Sequence, residues 1–443
     1  MIQTLIIIYI VVLLFPIIRR KRNWFTPPIL MSITMAFYTV PDLLGIFFSG
    51  YKTYAKNLPF KIYTDPEFLI ERFLFIQILF IITYLIAFNK FYDNKKIKRP
   101  LFQLKKENNK ISYFFGLTLL ILCGIATFQY IKSQGGLGEL VMSFMNRNKL
   151  LEDQSFLHRI SPTLMTFATI FCMRYILCSK GKHIILFLML VFIGFFCYTS
   201  NGGRSQLVVF VLTLLCCYNY WKKNINLLSP KFYILYFALA VFIIAFQLLR
   251  YEETNALTFE DIFNNQATVF DSMAYVKTQL LIENYFDKFD HWYGYIFYFL
   301  IYIFIPRSVY PNKPHIDEGD YIYNMRFDHS DVLSDQTFIN SWPPFTMGEG
   351  YANFGFVGVI LFAIILALLH SYVFRLLKSS KSTLFILPIY VFIVLKFQIT
   401  IFYIANLTYL LIANYVFRKL YNSFSNQIKS TNLKSIPCDL QNK

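Results

Sequence analysis

The sequence predicts an all-α integral membrane protein of about 11 transmembrane helices, within a range of 10–12, and one large external loop holding amphipathic and re-entrant helices. Three observations carry this. Apolar residues come in blocks of 17 to 24, long enough to cross a hydrocarbon core of roughly 30 Å. Only 15% of the 443 residues are charged and 56% are hydrophobic, whereas a soluble surface needs about 25% charged residues. The Lys and Arg residues gather in alternate loops, which is how a multi-spanning chain records its orientation.

Taken in order, the apolar runs lie near 2–18, 27–49, 67–88, 112–131, 157–178, 183–200, 205–221, 231–249, 351–374, 382–398 and 400–417. The first is too long for a signal-peptide core and lacks a small-residue cleavage site, so it reads as a retained anchor. Arg19-Arg20-Lys21-Arg22 follows it, and the loop 89–111 holds a dense set of lysines from Lys90 to Lys110. Lys180/Lys182, Lys222/Lys223/Lys231, Arg375/Lys378/Lys381 and Arg418/Lys419 mark the later loops of the same side. The positive-inside rule makes that side cytoplasmic, the N-terminus external and the C-terminus internal. The net charge of +17 is therefore a topology signal; with no basic soluble domain, nucleic acid is excluded as a partner. The cysteines lie in or beside apolar runs or in the tail, so no disulfide framework is expected.

This reading divides the chain into a bundle of eight spans over 1–250, an external loop over 251–350, spans nine to eleven over 351–417 and a cytoplasmic tail over 418–443. The loop holds 15 of the 25 acidic residues, as suits a non-cytoplasmic segment. Its apolar run 292–305 reaches only about 21 Å as a helix, and a full crossing there would invert every later loop. It reads as re-entrant or interfacial. Phe259, Ile262, Phe263, Phe270, Met273, Leu280 and Leu281 recur at roughly helical spacing, as amphipathic helices require.

Ionisable residues at the membrane level are costly and are functional candidates by default. Asp42, Glu71, Arg72, Arg159, Arg250 and Lys396 all fall near the outer ends of their spans. Three patches stand out. Thr199-Ser200-Asn201-Gly202-Gly203-Arg204-Ser205-Gln206 is a tight glycine turn that sets Arg204 at a helix start, where a guanidinium beside unpaired N–H groups makes a diphosphate cradle. Ile305-Pro306-Arg307-Ser308-Val309-Tyr310-Pro311-Asn312-Lys313-Pro314-His315 holds Arg307 and Lys313 on a stiff, proline-fixed path. Met347-Gly348-Glu349-Gly350-Tyr351-Ala352-Asn353-Phe354-Gly355-Phe356-Val357-Gly358 opens a late span with close-approach glycines around Glu349. Each has a bland counterpart as well: a snorkelling Arg, a rigid loop exit, an acid at a helix N-terminus. The spacings Asp65-Pro66-Glu67 and Asp317-Glu318-Gly319-Asp320 lack a His or Cys partner and read as polar loop, so no metal is assigned.

In this order, the patches G-G-R-S, I-P-R-x-x-x-P-x-K-P and G-E-x-Y-x-N-F-G-x-x-G resemble those of the Wzy-type oligosaccharide repeat unit polymerases, which include O-antigen and capsular polysaccharide polymerases of bacteria. The likeness is concentrated in residues 199–206 and 303–358. It implies a glycosyltransferase of the bacterial cytoplasmic membrane that joins undecaprenyl-diphosphate-linked repeat units on the outer face, in O-antigen, capsule or exopolysaccharide synthesis. It further implies no cofactor, and a chain-length regulator and a flippase as partners. Arg204, Arg250, Arg307 and Lys313 are the expected diphosphate-binding residues. The related O-antigen ligases use a His in the large outer loop; His315 is the nearest analogue, with Glu349 and Asp320 competing as the acid–base residue. The alternatives are a flippase for the same lipid-linked units, an O-antigen ligase, and a scaffold of the assembly whose outer loop is a docking module.

Overall fold

The computed structural model describes residues 1–19, 23–93, 109–136, 138, 156–179, 183–200, 204–238, 241, 275–302, 305, 309–310, 313–314, 317–327, 332–333, 341–379 and 383–434. Among these, the regular elements are helices: α1 Ile2–Ile18, α2 Pro27–Ser49, α3 Tyr51–Lys56, α4 Pro66–Asp93, α5 Asn109–Ser133, α6 Phe156–Cys178, α7 Ile184–Thr199, α8 Arg204–Trp221, α9 Tyr275–Tyr285, α10 Glu318–Asn324, α11 Thr346–Ser379, α12 Leu387–Leu395 and α13 Ile401–Lys434, with a 3-10 helix at Tyr295–Tyr302. Among the described residues, six helices are long and apolar enough to cross a membrane: Pro27–Ser49, Pro66–Tyr92, Asn109–Ser133, Ile160–Cys178, Thr346–Ser379 and Ile401–Asn426. Ile2–Ile18, Ile184–Thr199 and Gln206–Trp221 are shorter apolar helices. The chain is a helical, multi-pass membrane protein.

The surface of these helices agrees. Helix α1 buries Ile2, Ile6, Tyr9 and Leu13 on one stripe, yet its opposite face is equally apolar, with Ile7, Val11, Phe15 and Ile18 exposed. Helix α7 repeats the pattern, burying Leu186 and Leu190 while Ile185, Leu188 and Phe192 face outward. A helix apolar all round, with half of it uncovered, is built for lipid rather than water.

Two compact units emerge from the packing: Met1–Lys96, Asn226–Arg375 and Phe392–Leu407 in the first, and Ile97–Ile225, Leu376–Val391 and Thr408–Lys443 in the second. In the second, α5 and α6 pack most closely, because Gly116 lies flat against α6. A Cβ there would stand 2.9 Å from the Cys172 amide nitrogen. Cys123, Cys172, Cys197, Cys216 and Cys217 are buried free thiols that serve as small packing residues. In the first, α1 packs on α2 and α4, and the Tyr9 hydroxyl pairs with Thr39 Oγ1 at 2.7 Å.

The expected span 382–398 is not one helix. Helix α12 covers only Leu387–Leu395, about 14 Å at 1.5 Å per residue, and the backbone breaks before α13 restarts at Ile401. Side chains from elsewhere take up the groups a break exposes. The Ile393 carbonyl, near the end of α12, accepts from His370 Nε2 at 3.0 Å, and His370 Nδ1 in turn accepts from the Tyr84 hydroxyl at 2.7 Å. A carbonyl only accepts, which fixes the imidazole tautomer. Gln398 Oε1 receives the Thr346 amide at 2.9 Å and its hydroxyl at 2.7 Å. The apolar run 292–305 forms the 3-10 helix Tyr295–Tyr302, about 16 Å long at 2.0 Å per residue, too short for a crossing. The expected span 231–249 lies mostly outside the described residues.

Candidate functional site

The first unit contains a buried polar cluster, assembled by a break in α11. Phe354 and Gly355 leave the helical region, Gly355 at φ 59° and ψ −142°. Only glycine adopts that conformation without strain. The break folds the short limb 346–353 back against the long limb, so that Gly350 and Gly358 touch backbone to backbone. A Cβ at Gly350 would lie 2.7 Å from the Gly358 carbonyl oxygen. The glycines of the third sequence patch thus serve an approach within one helical hairpin. Carbonyls freed at the bend are taken by the loop that precedes the 3-10 helix: Trp292 N–H donates to Ala352 O and Tyr293 N–H to Asn353 O, both at 2.9 Å.

Glu349 sits on the short limb and is fully buried. Its Oε1 accepts from Asn353 Nδ2 at 3.0 Å, and its Oε2 has no hydrogen-bond partner. Helix α9 covers the limb: a Cβ at Gly348 would meet Gln279 Oε1 at 2.6 Å and Ile282 Cδ1 at 3.0 Å. Gln279 Oε1 is itself buried without a donor, while Gln279 Nε2 donates to Glu283 Oε1 at 2.9 Å. Burial pushes the Glu283 carboxyl up to about 8, against the opposing pull of the Arg72 guanidinium and the Gln279 amide.

Arg72, one of the candidate cations, is committed to this framework. It grips Asp287 with two hydrogen bonds of 2.5 and 2.8 Å, donates to the Glu283 carbonyl at 3.1 Å and lies 3.5 Å from Glu283 Oε2. It pins α9 and the turn after it to the start of α4. His291 stacks on Phe286 at 4.9 Å and meets Tyr351 edge-on at 5.5 Å, with a buried Nδ1 that has no partner.

The second acid of the cluster comes from α10. Asp317 caps that helix by accepting the Gly319 amide at 3.0 Å, which leaves Glu318 to turn the other way. Both Glu318 oxygens face the N-terminus of α13, accepting from the Ile401 amide and, at 3.4 Å, from the Phe402 amide. Burial first, and the neighbouring Glu349 carboxyl second, push Glu318 well above the usual carboxylate range. The first unit also holds a cavity of about 40 Å³ lined by Met35, Phe80, Thr346, His370, Phe397 and Gln398 among others.

The remaining sequence candidates are distributed unevenly. Arg204 is the first residue of α8, in the second unit, and its side chain lies outside the described residues. Arg250, Arg307, His315 and the side chain of Arg159 also lie outside them. Lys313 Nζ donates to the Ile305 carbonyl at 2.7 Å and the Tyr302 carbonyl at 3.5 Å, capping the end of the 3-10 helix. Asp42 and Lys396 are half-buried, and Asp320 stands in the first turn of α10. Glu283, Gln279, Gln398 and His291 are the polar residues that sequence reasoning missed, and Glu318, read there as polar loop, is buried. The i, i+4 spacing of Gln279 and Glu283 was the one local signal that could have linked any of them.

No family model, curated protein or solved structure matches this chain. Its function must therefore be read from the membrane architecture, the three sequence patches and the buried cluster.

Proposed function

We propose that the chain is a polysaccharide polymerase. It joins undecaprenyl-diphosphate-linked oligosaccharide repeat units on the outer face of the bacterial cytoplasmic membrane, with its N-terminus outside and its C-terminus in the cytoplasm. The observation that carries this reading is the third patch: a glycine-bent helix that buries an acid, Glu349, following two arginine-bearing patches in a multi-pass chain.

In the proposed reaction the bond between the donor sugar's anomeric carbon and the lipid diphosphate breaks, and the diphosphate leaves with the electron pair. The acceptor unit's hydroxyl oxygen forms the new glycosidic bond, and its proton passes to a base on the protein. Arg204, Arg307, Arg250 and Lys313 stabilise charge that develops on the diphosphate, and His315 and Glu349 are the acid–base groups. No cofactor is assigned. A chain-length regulator and a flippase are the proposed partners.

In membranes supplied with lipid-linked repeat units, Arg204→Ala or Arg307→Ala is expected to abolish long chains while single units still form. Long chains from both variants would overturn the proposal.

One observation favours a second reading as a carrier of the same lipid-linked units. The break between α12 and α13 aims a helix N-terminus at a buried acid, an arrangement shared with discontinuous helices of secondary transporters. Reconstituted vesicles separate the two: a carrier moves lipid-linked oligosaccharide across the bilayer without lengthening it, a polymerase lengthens it.

A further inference from the structure

The turn that precedes the 3-10 helix holds a strained aromatic residue. Tyr293 has φ 49°, in the left-handed region that a bulky side chain avoids, and Gly294 follows at φ 83°. The bend of α11 keeps the turn in that shape. Trp292 and Tyr293 donate their amides to Ala352 O and Asn353 O, both at 2.9 Å, and the Gly294 amide donates to Asn353 Oδ1 at 3.1 Å. Asn353 Nδ2 in turn donates to Glu349 Oε1 at 3.0 Å, so one side chain ties the turn to the limb that carries the buried acid. The strained residue faces outward, with Tyr293 69% exposed. The 3-10 helix Tyr295–Tyr302 extends this surface. Residues i and i+3 eclipse in such a helix, which puts Tyr295, Tyr298 and Ile301 on one exposed face while Ile296 and Phe299 are buried. The Tyr295 and Tyr298 rings are nearly parallel, 19° apart in plane with centroids separated by 6.4 Å. Trp292, Tyr293, Gly294, Tyr295 and Tyr298 line an open cleft of about 560 Å³, a size that small-ligand sites share.

We propose that this cleft is a sugar-stacking platform, on which Tyr293, Tyr295 and Tyr298 hold a neutral pyranose of the oligosaccharide. The inference deepens the polymerase reading and rests on it for the source of the glycan. A pyranose has an apolar face of C–H groups and a rim of hydroxyls. A tyrosine offers a π face to the first and a phenol O–H to the second. The lining side chains carry no charge, which suits a neutral sugar and not a phosphate. Lipid contact would call for a different surface. Helix α1 turns Ile7, Val11 and Phe15 outward and buries Tyr9, and α13 sets its exposed Tyr409 and Tyr415 among exposed Leu411, Ile412 and Val416. Here the tyrosines are outside and the aliphatic and phenylalanine side chains Ile296 and Phe299 inside. The strain at Tyr293 points the same way. A ring that only touches lipid needs no fixed backbone, whereas a platform gains affinity when its rings are set before the sugar arrives.

The test is binding of a soluble probe to the full-length protein in lipid nanodiscs. The probe is short oligosaccharide cut from the surface polysaccharide of the cells that carry the protein. Calorimetric titration gives the affinity, and saturation transfer from protein aromatic protons to sugar C–H groups reports stacking. The wild type is expected to bind with such transfer. Replacing both Tyr295→Leu and Tyr298→Leu keeps an apolar surface but removes the rings, and is expected to weaken binding about tenfold or more. Phe at both positions keeps the rings and is expected to hold affinity within about threefold. Tyr293→Gly relieves the backbone and is expected to raise the melting temperature while weakening binding, which guards against a Leu pair that folds poorly. A wild type that binds none of the probe overturns the proposal. A folded Leu pair that binds like the wild type overturns it too, and makes the rings an interfacial belt. Chain lengthening is scored separately. Ring-dependent binding without lengthening supports the platform and overturns the polymerase reading, and lengthening with ring-independent binding does the reverse.

Discussion

At the scale of single residues, the buried cluster shows how cost is distributed between partners far apart in the chain. Glu283 has an arginine beside it, yet burial outweighs that arginine, whose two forked N–H groups go to Asp287. Since the folded state holds a proton on Glu283 that the unfolded chain loses above about 4.3, stability falls as pH rises from there to about 8 and then levels. The slope is at most about 1.4 kcal/mol per pH unit. Glu283→Gln is expected to gain on the wild type across that window, measured as melting temperature in detergent at a series of pH values. A Glu283→Gln advantage that grows as pH falls would contradict the assignment. Tyr84→Phe strips the donor from His370 Nδ1 and is expected to cost about 1–3 kcal/mol, read by the same melts. Of these residues only Arg72 stood out in the sequence. Arg72 and Glu283 are 211 positions apart, and a lone Glu among apolar neighbours reads as one more charge in an acidic loop.

At the scale of elements, apolar runs were legible and breaks were not. The run 27–49 coincides with α2 because Pro27 and Gly50 punctuate both its ends. The run 382–398 failed because Gln398 and Thr400 look like ordinary polar residues near a span end. Their importance comes from partners at Thr346 and Tyr403, which periodicity does not see. The glycines around Glu349 were legible as a close approach, although the approach proved to lie between two limbs of one helix. Gly350→Ala drives a methyl into backbone that cannot yield, and Gly355→Ala forces a side chain into a glycine-only conformation. Each is expected to cost about 1–3 kcal/mol in unfolding experiments, whereas Gly45→Ala, with open space around it, is expected to be near neutral.

At the scale of the whole molecule, composition alone conveyed the membrane class, since the helices are apolar on buried and exposed faces alike. Sidedness is a separate matter, carried by loop charge. In a background without the native thiols, a cysteine at Lys95 is expected to react with an impermeant maleimide only after cells are opened, as its place in the basic loop 89–111 requires. Labelling of intact cells would invert the orientation. In the proposed reaction His315 is one of the two acid–base groups. Loss of chain lengthening in His315→Ala, with lipid-linked substrate still bound, is the expected outcome.

The gap between α12 and α13 has a consequence for how the protein is made. Its backbone groups at Ile393, Ile399 and Ile401 pair with the side chains of His370, Thr346 and Glu318, all of which lie earlier in the chain and emerge from the ribosome first. The nascent protein therefore already holds these three partners when the gap is synthesised. The last helices settle against a prepared socket, and damage to any one cap will surface as faulty biogenesis before it surfaces as lost activity.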